Sequence, residues 1–306
     1  MRLVRLDPLT GKKLSETVMD DRDPRTGENL QSRIQQKKMP VAQPDLLSCD
    51  GKFVYMRSQR FNLDGQRAVI DPENEADQGG EGTHLFCPTG FLDDSWFHRS
   101  YWIYGRNAGE GWAEWPVPAW YVPAGRILAF DDSHVYGYGR HPKYLCNSSV
   151  LEYRLFAADK ALDPERAEIV RKAKIPQNIT NWQNRAKRPE SELNAVNRKW
   201  LIEKPQVIAR AMVLADQTLF VAGPPDVVDE EEIWGRTLEP EVQTKLSAQS
   251  AALEGQQGSL LWAVSASDGQ KLAEYKLDSV PAWDGMAAAN GRLYLAMKNG
   301  RVLCMR

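Results

Sequence analysis

Residues 260–275 read LLWAVSASDGQKLAEY, and residues 290–305 read NGRLYLAMKNGRVLCM. Each is a short alternating run, a turn rich in Asp, Asn and Gly, and a second alternating run. Asn-Gly and Asp-Gly supply the positive φ that tight hairpin turns require. Alternation with a period of two marks half-buried strands. The far end of the chain carries the same design. Leu6–Glu16, LDPLTGKKLSE, aligns without a gap on Val264–Glu274, VSASDGQKLAE, so that Gly11 meets Gly269 and Lys13 meets Lys271. A short β unit used several times decides the architecture, because each copy buries its apolar face against the next.

Working outward, four segments share one local plan of a polar turn followed by a strand. They are Asp50–Met56 (DGKFVYM), Asp131–Tyr138 (DDSHVYGY), Asp216–Ala222 (DQTLFVA) and Asn290–Ala296 (NGRLYLA). The matching turn positions 50, 132, 216 and 290 lie 82, 84 and 74 residues apart. A plain propeller blade takes about 40–50 residues, so each interval holds two blades or one blade with an insertion. Phe156–Trp200 is polar, and Asp163-Pro164 reads as an N-cap with proline at the first helical position. Val227–Gln257 opens on the acidic run Asp229–Glu232, read as a first helical turn, and becomes Ala/Gln/Leu-rich. Asp20–Lys38 is a third polar excursion, whose DPRTG (23–27) echoes DPLTG (7–11).

The expected fold is therefore all-β: a β-propeller of about four to six blades, incomplete on its N-terminal side. It would form one domain over 1–306, with polar or helical insertions at about 156–200 and 227–257. Because Met1 falls in the middle of a repeat, the chain reads as the C-terminal portion of a longer protein. MRLVRLDPLTGKK has no apolar h-region and is not a signal peptide.

Composition narrows the function classes. With 26% charged residues and a net charge of −2 over 306 residues, nothing argues for nucleic acid or an anionic membrane surface as partner. No run is long enough for a transmembrane helix. Cys49, Cys87, Cys146 and Cys304 form no CxxC or CxxCH, which leaves a c-type haem or zinc ribbon without support and disulfide pairing open.

The pairing of LDPLTGKKLSE with LLWAVSASDGQKLAEY and NGRLYLAMKNGRVLCM resembles the repeat of the PQQ-like (quinoprotein alcohol dehydrogenase-like) β-propellers. Residues 124–140 and 210–226 look like divergent copies. The family contains quinone-dependent dehydrogenases and cofactor-free scaffolds alike, so the resemblance implies a fold rather than an activity. Enzymatic members imply an adjacent cysteine pair, a calcium site and an acidic base. No two cysteines are adjacent here, and Ser15 and Ala273 stand where the repeat's terminal tryptophan is expected. PQQ with calcium is therefore disfavoured, and no cofactor is assigned. The resemblance also implies a periplasmic or extracellular setting.

The densest chemical signal is WFHRSYWIYGRNAGEGWAEWPVPAWY, residues 96–121. Trp96, Arg99, Trp102, Arg106, Trp112, Trp115 and Trp120 could stack on sugar rings or grip a peptide. Packing between sheets is the competing and heavier reading, because large aromatics are mostly core anchors. His84 with Cys87, and His141 with Cys146, lack a defined ligand spacing, so no metal is assigned. Asp20, Asp21 and Asp23 lack the cadence of a calcium loop. No catalytic residue is assigned. The leading expectation is a non-catalytic binding or scaffolding module for a protein or other ligand. The alternatives are a quinoprotein-type oxidoreductase domain or remnant, and a carbohydrate-binding accessory module.

Overall fold

The computed structural model describes residues 1–20, 22–29, 47–56, 59–68, 84–86, 102–105, 123–141, 152–161, 163–172 and 194–306. It is mostly β, in several antiparallel sheets. Two compact units divide it, Met1–Ala124 and Gly125–Arg306.

In the first unit, β1 (Arg2–Leu6) and β2 (Lys13–Val18) form a hairpin. The turn between them is tied by Asp7, whose Oδ1 accepts the backbone N–H groups of Leu9 (3.0 Å) and Thr10 (2.7 Å). Asp23 does the same for Arg25 and Thr26, both at 2.8 Å, so DPRTG folds like the DPLTG it echoes. Strands β3 (Leu47–Cys49), β4 (Phe53–Met56) and β5 (Gln59–Asn62) make a three-stranded sheet. A second holds β6 (His84–Phe86), β7 (Trp102–Gly105) and β8 (Ala124–Gly125). Met19, Met56 and Phe61 form the small core beneath Leu3 and Val54.

The second unit has three consecutive meanders. Strands β9 (Ile127–Phe130), β10 (His134–Arg140), β11 (Tyr153–Asp159) and β12 (Arg198–Glu203) pair in chain order. So do β13 (Ala211–Ala215), β14 (Thr218–Gly223), β15 (Ser259–Ser265) and β16 (Lys271–Leu277). The last sheet is β17 (Pro281–Ala289), β18 (Arg292–Met297) and β19 (Val302–Met305). The first strands of the three sheets lie side by side, β13 between β9 and β17.

Side-chain alternation sorts the middle sheet onto both neighbours. Met212, Leu219, Val221, Trp262 and Val264 join Tyr136, Leu155 and Trp200 of the first sheet in one core. Val213, Phe220, Ala222 and Leu261 face Leu293, Leu295 and Met297 of the third. A period of two exposes opposite faces at successive residues, so a sheet packed on both faces reads as nearly continuous apolar sequence. RAMVLADQTLFVAG has that character.

Trp200 locks the first two sheets together. Its indole N–H donates to the Ala266 carbonyl at 2.8 Å, and its ring covers Gly269, where an added Cβ would sit 2.8 Å from the ring. Gly269 has φ of 77°, so this turn needs glycine both for its backbone and for the close approach. A side chain of the first sheet thus covers the DGQK turn of the second.

The turns repeat in detail. Asp50 Oδ1 accepts from Lys52 N (2.9 Å) and Phe53 N (2.7 Å), and Oδ2 accepts from Tyr55 Oη (2.9 Å). Asp131 treats Ser133 N (2.7 Å), His134 N (2.7 Å) and Tyr136 Oη (2.9 Å) in the same way. Burial and the bond to Asp131 push the Tyr136 phenol up to about 12.

Two helices are described. Helix α1 (Pro164–Lys172) starts as the sequence predicts, with Asp163 Oδ1 accepting the N–H groups of Glu165 (2.9 Å) and Arg166 (3.0 Å). Helix α2 (Pro240–Glu254) begins later than the acidic run suggested. Asp229–Glu232 lies in a run of turns rather than in the first turn of α2. Glu230 and Glu231 N–H go to Glu152, and Glu232 N–H goes to Asp229. Gly235, at φ of 78°, then breaks the backbone before Pro240. Neither helix is long and apolar enough to cross a membrane.

Candidate functional site

In an antiparallel meander the starts of odd strands and the ends of even strands share one end. By that rule Arg126, Glu152, Lys204, Arg210 and Asp226 all emerge at the same end of the second unit, adjoining β9, β11, β12, β13 and β14. Two groups of side chains gather there.

The first lies at the starts of the first strands of the three sheets, β9, β13 and β17. Arg126 N donates to Tyr138 O at 2.8 Å, Arg210 N to Ala222 O at 2.9 Å, and Asp284 N to Arg210 O at 2.8 Å. One charged residue therefore stands at the start of β9, one at the start of β13 and one in the irregular first part of β17, where the register shifts. Asp284 takes φ of 54°, a left-handed conformation that costs a non-glycine residue about 1–3 kcal/mol and tends to occur where function demands it.

Arg126 is fixed in place. Its Nη1 donates to Tyr153 Oη at 3.1 Å, and its guanidinium stands 4.8 Å from the centre of the Trp283 ring. Trp283 is 43% exposed. Tyr153 in turn stacks on the fully buried Tyr138, centroids 5.0 Å apart and planes 11° from parallel. Arg210 is placed differently: its Nε is buried and finds no acceptor among the described residues. A buried donor left so costs about 1–3 kcal/mol. Burial and the charge of Arg126 both pull the Arg210 guanidinium below its usual range. Among the described residues no carboxylate lies within ion-pair distance of Arg210.

The second group lines a cavity of about 520 Å³ that includes Glu152, Lys204, Gln206, Asp226, Asp229 and Leu260. Burial, then the charge of Glu152, pushes the Asp226 carboxyl up to about 7. Glu152 is also raised, chiefly by burial. For Asp229 burial acts upward, but the bond from Lys204 Nζ at 2.6 Å and the Glu232 N–H outweigh it and leave the group lowered. A protonatable carboxyl near neutrality beside an ionised one can serve as an acid–base pair. Ion-pair clamps produce the same shifts, and the bonding favours a clamp. Glu152 Oε1 is occupied by two backbone N–H groups, at 2.6 and 3.2 Å. Gln249 of α2 pins the same wall, accepting from Val227 N (2.8 Å) and donating to Pro225 O (3.2 Å).

Of the residues singled out in the aromatic segment, Trp102 is described, half-buried on β7. Trp96, Arg99, Arg106, Trp112, Trp115 and Trp120 lie outside the described residues, as do Cys87, His98 and Cys146. His134 lies 3.4 Å from Asp131 and 3.8 Å from Asp159, and His141 lies 3.8 Å from Glu203. Cys49 and Cys304 are exposed free thiols. Among the described residues no three His, Cys, Asp or Glu side chains converge to hold a metal ion.

Sequence reasoning missed Arg126, Arg210 and Trp283. The usable signal was positional: AGRILAF, IARAMVLA and AWDGMAAA each place a charged residue immediately before the first strand of a sheet or near its start.

No family model matches the chain. No curated protein matches it either. Among solved structures, the crystal structure of BamB from Moraxella catarrhalis is similar, at a TM-score of 0.36 and 11% identity. The likeness spans the whole of this chain and 66% of the length of that protein.

Proposed function

We propose that this chain is a non-catalytic binding and scaffolding module of the β-propeller type, which presents the mouth of β9, β13 and β17 to its ligand. The observation that carries the reading is the row of first strands, three in succession, each bringing a charged residue to one end beside the exposed Trp283. Arginine and tryptophan are the residues that most often dominate the energetics of protein interfaces. The nearby carboxylates support binding over turnover, because their oxygens fasten the wall of the site. An extracytoplasmic setting, implied by the repeat resemblance, belongs to the same proposal.

A quinone with calcium remains the disfavoured alternative, because no two cysteines are adjacent in the chain and Ser15 and Ala273 stand where the repeat's terminal tryptophan is expected. Adding the quinone with calcium and following dye reduction is expected to give no turnover, and sustained turnover would replace this reading with the oxidoreductase one. Binding is tested by a photo-crosslinking side chain at Trp283, compared with one at Asn290 at the opposite end. In the native host, discrete adducts from position 283 and none from 290 are expected. Equal labelling from both ends, or none from either, would overturn the module reading.

A further inference from the structure

Resting on that reading, we infer that the mouth of β9, β13 and β17 is a carboxylate site, with Arg126 and Arg210 gripping an acidic side chain of a protein partner beside Trp283. Guanidinium groups present donors in a planar fork that matches a carboxylate. Here the two forks differ in how far they are committed. Arg126 uses Nη1 on Tyr153 Oη and rests over Trp283, which orients the group while leaving further N–H donors. Arg210 holds its Nε out of water with no acceptor among the described residues. No ion pair within 4 Å is found for either arginine among the described residues, although Asp284 is bonded through its backbone to Arg210 O.

Two cations at the starts of neighbouring strands, with no ion pair to either among the described residues, gain when an anion arrives, because the repulsion between them is offset by attraction. One carboxylate also suits the balance of charge better than a doubly charged ion, because Asp284 adds negative charge at the rim. Trp283 supplies a flat apolar surface for the carbon stem of the same side chain, so charge and aromatic contact are offered side by side. The neighbouring cavity works against a long acidic run, since Glu152, Asp226 and Asp229 line it. The preferred partner thus carries a small number of acidic residues rather than a polyanionic tract.

The test titrates the full chain with acetylated, amidated tripeptides Gly-Glu-Gly and Gly-Gln-Gly presented on a common carrier, and separately with inorganic phosphate. The glutamate carrier is expected to bind at least about tenfold more tightly than the glutamine carrier, and to weaken as salt is raised. Arg210→Met should remove most of that preference and Arg210→Lys should keep part of it. Arg292→Met, at the opposite end, should leave it intact. Arg126→Met serves as the second variant should Arg210→Met not fold. Equal affinity for the two carriers, or an unchanged preference in the methionine variants, would overturn the assignment. Binding of phosphate without the glutamate carrier would also overturn it. Failure here with position-283 adducts intact removes the carboxylate site and leaves the module reading standing.

Discussion

The contact between Trp200 and Gly269 should behave as a single coupled unit. Trp200 is 8% exposed, so Trp200→Ala removes a nearly complete aromatic burial and is expected to cost about 3–5 kcal/mol. Trp200→Phe keeps most of the apolar surface but takes the donor from Ala266 O, an expected cost of about 1–3 kcal/mol. Gly269→Ala suffers twice. Its φ of 77° costs a side chain about 1–2 kcal/mol, and the new Cβ lies 2.8 Å from the indole, adding about 1–3 kcal/mol of overpacking. Once the indole is gone, only the backbone part remains. The double variant Trp200→Ala/Gly269→Ala should therefore be about 1–3 kcal/mol more stable than the sum of the single losses implies. Urea unfolding followed by circular dichroism measures all four corners of the cycle. Additivity within about 0.5 kcal/mol, or a Trp200→Phe variant as stable as the parent, would refute the docking of one sheet on the next turn.

Asp226 sets a pH dependence. Its folded pKa, about 7, lies above the ordinary carboxyl value, so the native state holds the extra proton and stability falls as pH rises from about 4 through 7. A shift of about three units corresponds to roughly 4 kcal/mol at most, and partial solvent access reduces this to about 2 kcal/mol. Asp226→Asn should flatten that stretch of the profile and be the more stable chain at pH 8; an unchanged slope in chemical denaturation would count against it. Asp131→Ala removes the carboxylate that accepts two backbone N–H groups and the Tyr136 hydroxyl, and is expected to cost about 1–2 kcal/mol, read as a lower midpoint in urea. Cys304 is an exposed free thiol, so Cys304→Ser should remove one rapidly reacting equivalent from a thiol titration of the native protein; an unchanged count would mean that Cys304 is shielded.

The sheets were readable from local signals because their causes are local. The φ of 52° at both Asp216 and Asn290, and the Asp-to-backbone bonds at Asp7, Asp50 and Asp131, need only a few neighbouring residues to form. The same holds for the Asp163 cap of α1. The acidic run Asp229–Glu232 folds as turns that end at Gly235 before α2 begins. Its Glu230 and Glu231 N–H groups reach Glu152, 78 and 79 residues earlier in the chain, a contact that no local pattern encodes. The aromatic segment drew the eye by composition, whereas the charged residues at the mouth are spread over the chain from Arg126 to Asp284 and share no motif.

The chain by itself determined that it would form short antiparallel strands, where they would turn, and which faces would be apolar, since alternation and turn chemistry act over a few residues. Only tertiary structure decided that β9, β13 and β17 lie side by side. That arrangement brings Arg126 and Arg210 to the same end of neighbouring strands, and the stacking of the first two sheets sets Trp200 over Gly269. Such juxtapositions come from sheets stacking face on face across 60 or more residues of chain, a distance over which no local pattern carries information.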